Sequence, residues 1–119
     1  RHLCYVRPRI EMDPAYGRPG LTYEGQNQGR WVRERTYGGK LVENITQAVA
    51  RDCLAEALLR VSAAGYPIAF HVHDEVVADV PLGFGSAEAM AGIMGQPIPW
   101  APGLPLKAEA FECEYYQKD

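Results

Sequence analysis

The chain has 119 residues, of which 47% are hydrophobic and 23% charged, and its formal net charge is −3. This length and composition are typical of one globular domain. They exclude a membrane-spanning helix, because no apolar run approaches the roughly 20 residues that cross a bilayer.

The charge is unevenly distributed along the chain. Residues 1–40 hold eight Lys or Arg and four acidic residues, whereas residues 41–119 hold four and eleven. A basic segment beside an acidic body is compatible with a face that binds a polyanion, and equally with an ordinary solvated surface.

The three cysteines are odd in number and form no CxxC pair. They are Cys4, Cys53 and Cys113. We therefore expect neither a structural zinc site nor a disulfide framework, and a reducing, cytoplasmic setting is favoured.

Residues 1–38 are predicted to form a basic extended arm, twisted and hairpin-like. Pro8 interrupts its first part, residues 13–20 are dense in turn formers, and a polar loop covers Gly25–Arg30. The candidate extended segments are Leu3–Val6, Arg7–Met12, Leu21–Glu24 and Trp31–Tyr37.

Residues 39–65 are predicted to form a long helix. Apolar residues recur there at helical spacing, namely Leu41, Ile45, Ala48, Leu54, Leu58 and Val61. The pair Gly38-Gly39 breaks the chain before the helix, Gly65 stands where a C-cap is expected, and Pro67 follows.

Residues 66–81 are predicted to form a tight hairpin. Two short, β-branched apolar runs, Ile68–Val72 and Val76–Val80, are separated only by His73, Asp74 and Glu75. The pattern places two carboxylates at the tip of the hairpin.

Residues 82–119 are predicted to contain a short helix, a Pro-rich loop and a final strand. The helix runs from its N-cap Ser86 to Met94, the loop covers residues 97–105, and the strand covers Leu106–Tyr116. The predicted fold class is therefore α+β, with an antiparallel sheet and the long helix packed on it.

The acidic turn is the most informative stretch. Burying an unpaired carboxylate is costly, so Asp74 and Glu75 must reach solvent, pair with cations or bind a metal. Oxygen ligands on a rigid mount suit Mg²⁺, which takes one or two carboxylates together with waters and substrate phosphates. A simple polar turn is the alternative. A third hypothesis is a zinc hydrolase built on His71 and His73, which would share one strand face, although the HxHxDH pattern of such enzymes is not met.

One face of the long helix carries cations and amides. Lys40, Asn44, Gln47 and Arg51 are spaced by four, three and four residues, so they line one side. Amides can reach minor-groove acceptors and cations can neutralise phosphates. The alternatives are a solvated polar stripe and a nucleic-acid-binding module without catalysis, which would use this face and the basic arm.

Taken together, these segments resemble the family A (DNA polymerase I type) DNA polymerases. The shared order is a long helix containing Gln47, an apolar strand, the turn within Val72-His73-Asp74-Glu75-Val76-Val77, and a second apolar strand. In that family the His-Asp-Glu turn is motif C of the palm. The resemblance covers residues 3–119 and is strongest over 37–52, 70–80 and 100–116. The last stretch resembles phage or prophage versions of the enzyme, which implies the cytoplasm of a bacterial host.

The resemblance implies roles for individual residues. Asp74 would be a catalytic ligand of a Mg²⁺ pair, which Mn²⁺ can replace, and Glu75 would be an acidic neighbour of lesser importance. His73 would lie near the primer 3′ end, and Gln47 would read the minor groove. Two-metal chemistry would then transfer a nucleotide from a dNTP to the primer of primer–template DNA.

The chain departs from the family pattern on the helix. The family often places Asn four residues and Arg eight residues before this Gln, where this chain has Glu43 and Gly39. Asn44 and Lys40 are each displaced by one position. The resemblance also implies that the other metal-binding Asp and the fingers helix precede Arg1. We therefore expect this C-terminal palm fragment to be inactive alone and to need those N-terminal palm and fingers regions as partners.

Overall fold

The computed structural model describes residues 1–118 and has an α+β fold. Its elements are β1 (Val6–Asp13), β2 (Arg18–Asn27), β3 (Arg30–Thr36), α1 (Gly38–Ala63), β4 (Ile68–Val72), β5 (Glu75–Ala78) and α2 (Ala87–Met94). The predicted α+β class is confirmed, but the strands form two antiparallel sheets, β1-β2-β3 and β4-β5, where one was expected. The chain divides within α1 into a first unit, Arg1–Ala48, and a second unit, Val49–Asp119.

The predicted arm is the three-stranded sheet of the first unit. The polar loop expected over Gly25–Arg30 is mostly strand, because β2 and β3 pair as far as Asn27 and Arg30. Only Gln28 and Gly29 remain in the turn, both at positive φ, +49° and +76°. A two-residue turn of this kind matches the twist of the paired strands.

Pro8 lies inside β1 instead of separating two segments. β1 is an edge strand, where a residue without an N–H is tolerated. The pairing register with β2 shifts between Val6 and Arg9, and Arg7 has a φ of +45°. The break expected at Pro8 is therefore a local irregularity of one continuous strand.

Helix α1 begins at Gly38, so the glycine pair forms its first turn rather than a break before it. It ends at Ala63, two residues before the predicted end, and Gly65 has the predicted capping role. Gly65 has a φ of +91°, its N–H donates to the carbonyl of Ser62, and the N–H of Tyr66 donates to that of Val61. These two bonds satisfy the last carbonyls of the helix in a Schellman motif.

The hydrophobic core of the second unit lies along α1. Leu54, Ala57 and Val61 are buried there, together with Tyr66 and Ile98. Next to this core, the guanidinium of Arg60 donates to the carbonyls of Gln96 and Pro97, each at 3.0 Å. The Pro-rich segment is thus an ordered loop fixed to the helix.

Helix α2 has the predicted start, and the predicted final strand is wrong. Ser86 Oγ accepts from the N–H of Ala89 at 3.1 Å as the N-cap. Within the described residues, Leu106–Tyr116 forms no strand. Residues 109–116 are exposed, so no buried face is present to specify a pairing register. The segment instead contacts its neighbours through side chains such as Glu112, which accepts from the N–H of Ala87.

No helix in the described part of the chain is long and apolar enough to cross a membrane.

Candidate metal-binding turn and helix face

The β4–β5 hairpin has a two-residue turn formed by His73 and Asp74. Val72 pairs with Glu75, so Glu75 is the first residue of β5. The prediction that Glu75 belongs to the turn is therefore wrong. His73 adopts a φ of +52°, which lets the chain reverse within two residues. Asp74 therefore stands at the tip, whereas the side chain of Glu75 belongs to a face of the sheet.

The two carboxylates differ in their surroundings. Asp74 is exposed, and its side chain forms no hydrogen bond or ion pair within residues 1–118. Glu75 is half-buried, and its Oε2 accepts from the Tyr116 hydroxyl at 3.2 Å. The ring of Tyr116 packs edge-on against Phe70, with centroids 5.1 Å apart. Asp74 is thus free to take a ligand, and Glu75 is oriented by a neighbour.

Loss of solvent around its hydroxyl, followed by the hydrogen bond to Glu75, raises the pKa of Tyr116 above its usual 10.0. The hydroxyl is the donor of this hydrogen bond and Oε2 of Glu75 is the acceptor.

The opposite face of the hairpin carries a cation from α1. Phe70, Val72, Glu75 and Val77 share the face that Tyr116 covers, because their pairing places them on one side. His71 lies on the other side, and its Nδ1 is 3.4 Å from Nη1 of Arg51. Of the predicted residues on the helix, Arg51 is therefore brought to the hairpin.

The structure does not favour a zinc site on His71 and His73. His73 lies in the turn and not on the strand, so the expected alternation of the two rings on one face is lost. A guanidinium beside Nδ1 of His71 also opposes a cation there. Among residues 1–118, no group of three or more His, Cys, Asp or Glu side chains could hold a metal ion.

The absence of such a group in residues 1–118 also means that the turn can supply only part of the ligands of a magnesium ion. One or two carboxylates are what a protein normally contributes to Mg²⁺, with waters and phosphates completing the shell. Asp74 and Glu75 fit that role as part of a ligand set. They do not form a complete site by themselves.

The predicted helix face is only partly free. The ammonium of Lys40 pairs with Glu43 at 3.0 Å, and Nδ2 of Asn44 donates to the hydroxyl of Tyr5 at 3.0 Å. Gln47 is exposed and forms no side-chain hydrogen bond within residues 1–118. These three residues belong to the first unit, and Arg51 belongs to the second.

The sequence analysis did not identify two residues that hydrogen-bond to the candidate site residues. Tyr116 holds Glu75 from 41 positions away, and Tyr5 holds Asn44 from 39 positions away. Both are aromatic residues in segments that were assigned from local pattern alone. The hydroxyl of a tyrosine that packs against other side chains usually has a hydrogen-bond partner, and this is the signal that could have identified both residues.

The chain is similar over its whole length to part of a phage DNA polymerase. It is 54% identical over 120 residues to the DNA polymerase of Bacillus phage SP02. The matched region is 18% of that protein, so the chain spans under one fifth of its relative. No family model matches the chain. No solved structure matches it.

Proposed function

We propose that this chain is part of a DNA polymerase that transfers nucleotides from dNTPs to a primer 3′-hydroxyl. Its full-length identity of 54% with a segment of the phage SP02 DNA polymerase carries this proposal. The further assignment to the family A palm, with His73-Asp74-Glu75 as motif C, rests on the resemblance of that turn and its two strands.

The hairpin geometry supports a metal-binding role for Asp74. The paired strands β4 and β5 flank the two-residue turn directly, so they fix the position of the Asp74 backbone and with it the carboxylate. Within residues 1–118 its carboxylate forms no hydrogen bond or ion pair that a metal ion would have to displace. Bound divalent ions, two in the complete enzyme, would activate the primer hydroxyl and stabilise the triphosphate and departing pyrophosphate. The remaining ligands would come from the N-terminal palm, and the dNTP contacts from the fingers.

Glu75 and His73 have supporting roles in this proposal. Glu75 adds negative charge next to Asp74 while the Tyr116 hydroxyl fixes its orientation. The left-handed backbone of His73 allows the reversal that exposes Asp74. Its exposed ring is available to the primer terminus.

The helix face is proposed to contact primer–template DNA. Gln47 can both donate to and accept from minor-groove edges, and Arg51 and Lys40 can neutralise phosphates. The amide nitrogen of Asn44 is occupied by Tyr5, so this side chain would act through its carbonyl oxygen.

A chimaeric enzyme tests the proposal. This chain would replace the matching segment of the phage SP02 polymerase, and primer extension would be measured with Mg²⁺. We expect activity in the parent chimaera and a loss of at least about 100-fold for Asp74→Asn, because the charge that holds a divalent ion is removed. Asp79→Asn is the matched control, since Asp79 is also exposed and lies at the end of β5 away from the turn; it should leave the rate unchanged.

Two results would contradict the proposal. One is a folded parent chimaera that binds primer–template but does not extend it. The other is an active chimaera whose rate is insensitive to Asp74→Asn. Duplex binding that falls with salt and ignores this substitution would point to the non-catalytic DNA-binding alternative. The 119-residue chain alone is expected to extend no primer.

A further inference from the structure

The two faces of the three-stranded sheet differ in what covers them. On one face, Tyr23 packs edge-on against Tyr5 at 5.1 Å, and Asn44 of α1 bonds the hydroxyl of Tyr5. Strand alternation and pairing place polar and charged residues on the opposite face. We call it the charged face; it carries Arg7, Arg9, Glu11, Asp13, Arg18, Thr22, Glu24, Trp31, Arg33 and Arg35.

A tryptophan stands in a fixed orientation on the charged face. Trp31 is 61% exposed, and its Nε1 donates to Oε2 of Glu24 at 3.0 Å. Glu24 is held in turn by Arg7 at 3.1 Å and by Arg33 at 2.9 Å. One edge of the indole is therefore anchored while much of its surface remains open. Such a ring loses little conformational freedom when a flat partner stacks on it.

Cations extend from the indole along the sheet. The charged face holds five arginines and three carboxylates, so it is positive overall. Arg7 keeps 71% of its side chain exposed although it pairs with Glu24. Arg9 is exposed, and its side chain forms no hydrogen bond or ion pair within residues 1–118. These two groups can contact a phosphate without first breaking up the network.

A second aromatic side chain lies near the far end of the face. The guanidinium of Arg18 lies 5.5 Å from the ring centre of Tyr16, in the turn between β1 and β2. From Arg18 to Gln26, which pairs with Trp31, β2 advances eight residues, or about 27 Å. Aromatic groups near both ends and arginines between them match a binding site for several nucleotides.

We propose that the charged face binds single-stranded DNA, with a base stacked on Trp31 and the backbone phosphates following the arginines. Stacking favours a single strand over a duplex, because the bases of a duplex already stack on one another. The role proposed above for the chain identifies this strand as unpaired template. Only that identification rests on the polymerase proposal.

The test is binding of a fluorescent oligothymidylate of about 16 nucleotides to the 119-residue chain, without dNTP or metal. Trp31→Ala should weaken the affinity about tenfold or more, because base stacking is lost. Trp31→Phe retains a stacking ring and should keep most of the affinity. Arg9→Ala should weaken binding and reduce the slope of affinity against salt by about 0.7. Trp100→Ala is the matched control, since it removes the other, similarly exposed tryptophan of the chain.

Three outcomes would overturn the inference. The first is that Trp31→Ala binds the oligothymidylate as tightly as the parent chain does. The second is that Trp31→Phe loses as much affinity as Trp31→Ala. The third is that blunt duplex DNA binds as tightly as the single strand and depends equally on Trp31. Circular dichroism of each variant shows whether the sheet is intact, and the phenylalanine variant separates stacking from folding. Trp31-dependent binding together with an inactive chimaera would contradict the polymerase proposal and leave this inference standing.

Discussion

Glu24 in the first unit and Asp74 in the second are both carboxylates on antiparallel strands or their turns, and their surroundings are opposite. Glu24 accepts hydrogen bonds from Arg7, Trp31 and Arg33. The Asp74 side chain forms no hydrogen bond or ion pair in residues 1–118. Three donors make the first carboxylate a structural group, because most of its acceptor sites are occupied. The second leaves its oxygens open to an ion, so lack of a partner distinguishes the functional candidate here.

The largest expected difference is in thermal stability. Glu24→Ala leaves three donors without their shared acceptor, so the Tm of the chain should fall by several degrees. Asp74→Ala removes an exposed carboxylate without a contact and should leave the Tm unchanged. Thermal unfolding followed by circular dichroism measures both. A larger decrease in Tm for Asp74→Ala than for Glu24→Ala would mean that the turn needs the Asp74 side chain for folding. The contrast between a structural Glu24 and an open Asp74 would then be wrong.

The pH dependence of the Tm tests the same difference between Glu24 and Asp74, and we expect a smaller effect. The hydrogen bond from Trp31, followed by the charges of Arg7 and Arg33, holds the pKa of Glu24 below its usual 4.5 even though burial opposes this. A lowered pKa in the folded state stabilises the fold at pH values above the unfolded pKa. The contribution is lost as the pH falls from about 4.5 through the folded pKa.

The difference in Tm between the parent and Glu24→Gln should therefore be constant at neutral pH and shrink below about pH 4.5. The difference in Tm between the parent and Asp74→Asn at neutral pH provides the control, and it should be smaller than that for Glu24→Gln. A Glu24 difference that stays constant down to acidic pH would show that its charge does not stabilise the sheet.

The parts of the fold that the sequence predicted depend on neighbouring residues. The end of α1 follows from Gly65, the start of α2 from Ser86, and the β4–β5 hairpin from two apolar runs around a short polar turn. In each case the decisive interactions span a few residues. The exposed Asp74 at the hairpin tip is predictable for the same reason.

The parts that the sequence did not predict depend on distant partners. Glu24 meets its donors across separations of 7, 9 and 17 positions, and Glu75 meets Tyr116 across 41. No local pattern encodes such pairs. The alternation in Leu106–Tyr116 was misleading because a strand also needs a neighbouring strand edge, and the described structure pairs none with this segment.

The smallest expected effect concerns the two adjacent acids of the hairpin. Tyr116→Phe removes the hydroxyl that bonds Glu75 and keeps the ring that packs on Phe70. Because Glu75 remains partly solvated, we expect a small decrease in Tm and at most about a threefold decrease in primer extension by the chimaera.

The pKa of Tyr116 is raised, so its stabilising effect should be present below its usual pKa of 10.0 and disappear as the pH rises through the higher folded value. The difference in Tm between the parent and Tyr116→Phe, followed from neutral to alkaline pH, measures this. A loss of primer extension by Tyr116→Phe as large as that by Asp74→Asn would reverse the proposed ranking. It would mean that the orientation of Glu75, and not the open carboxylate of Asp74, limits the chemistry at this turn.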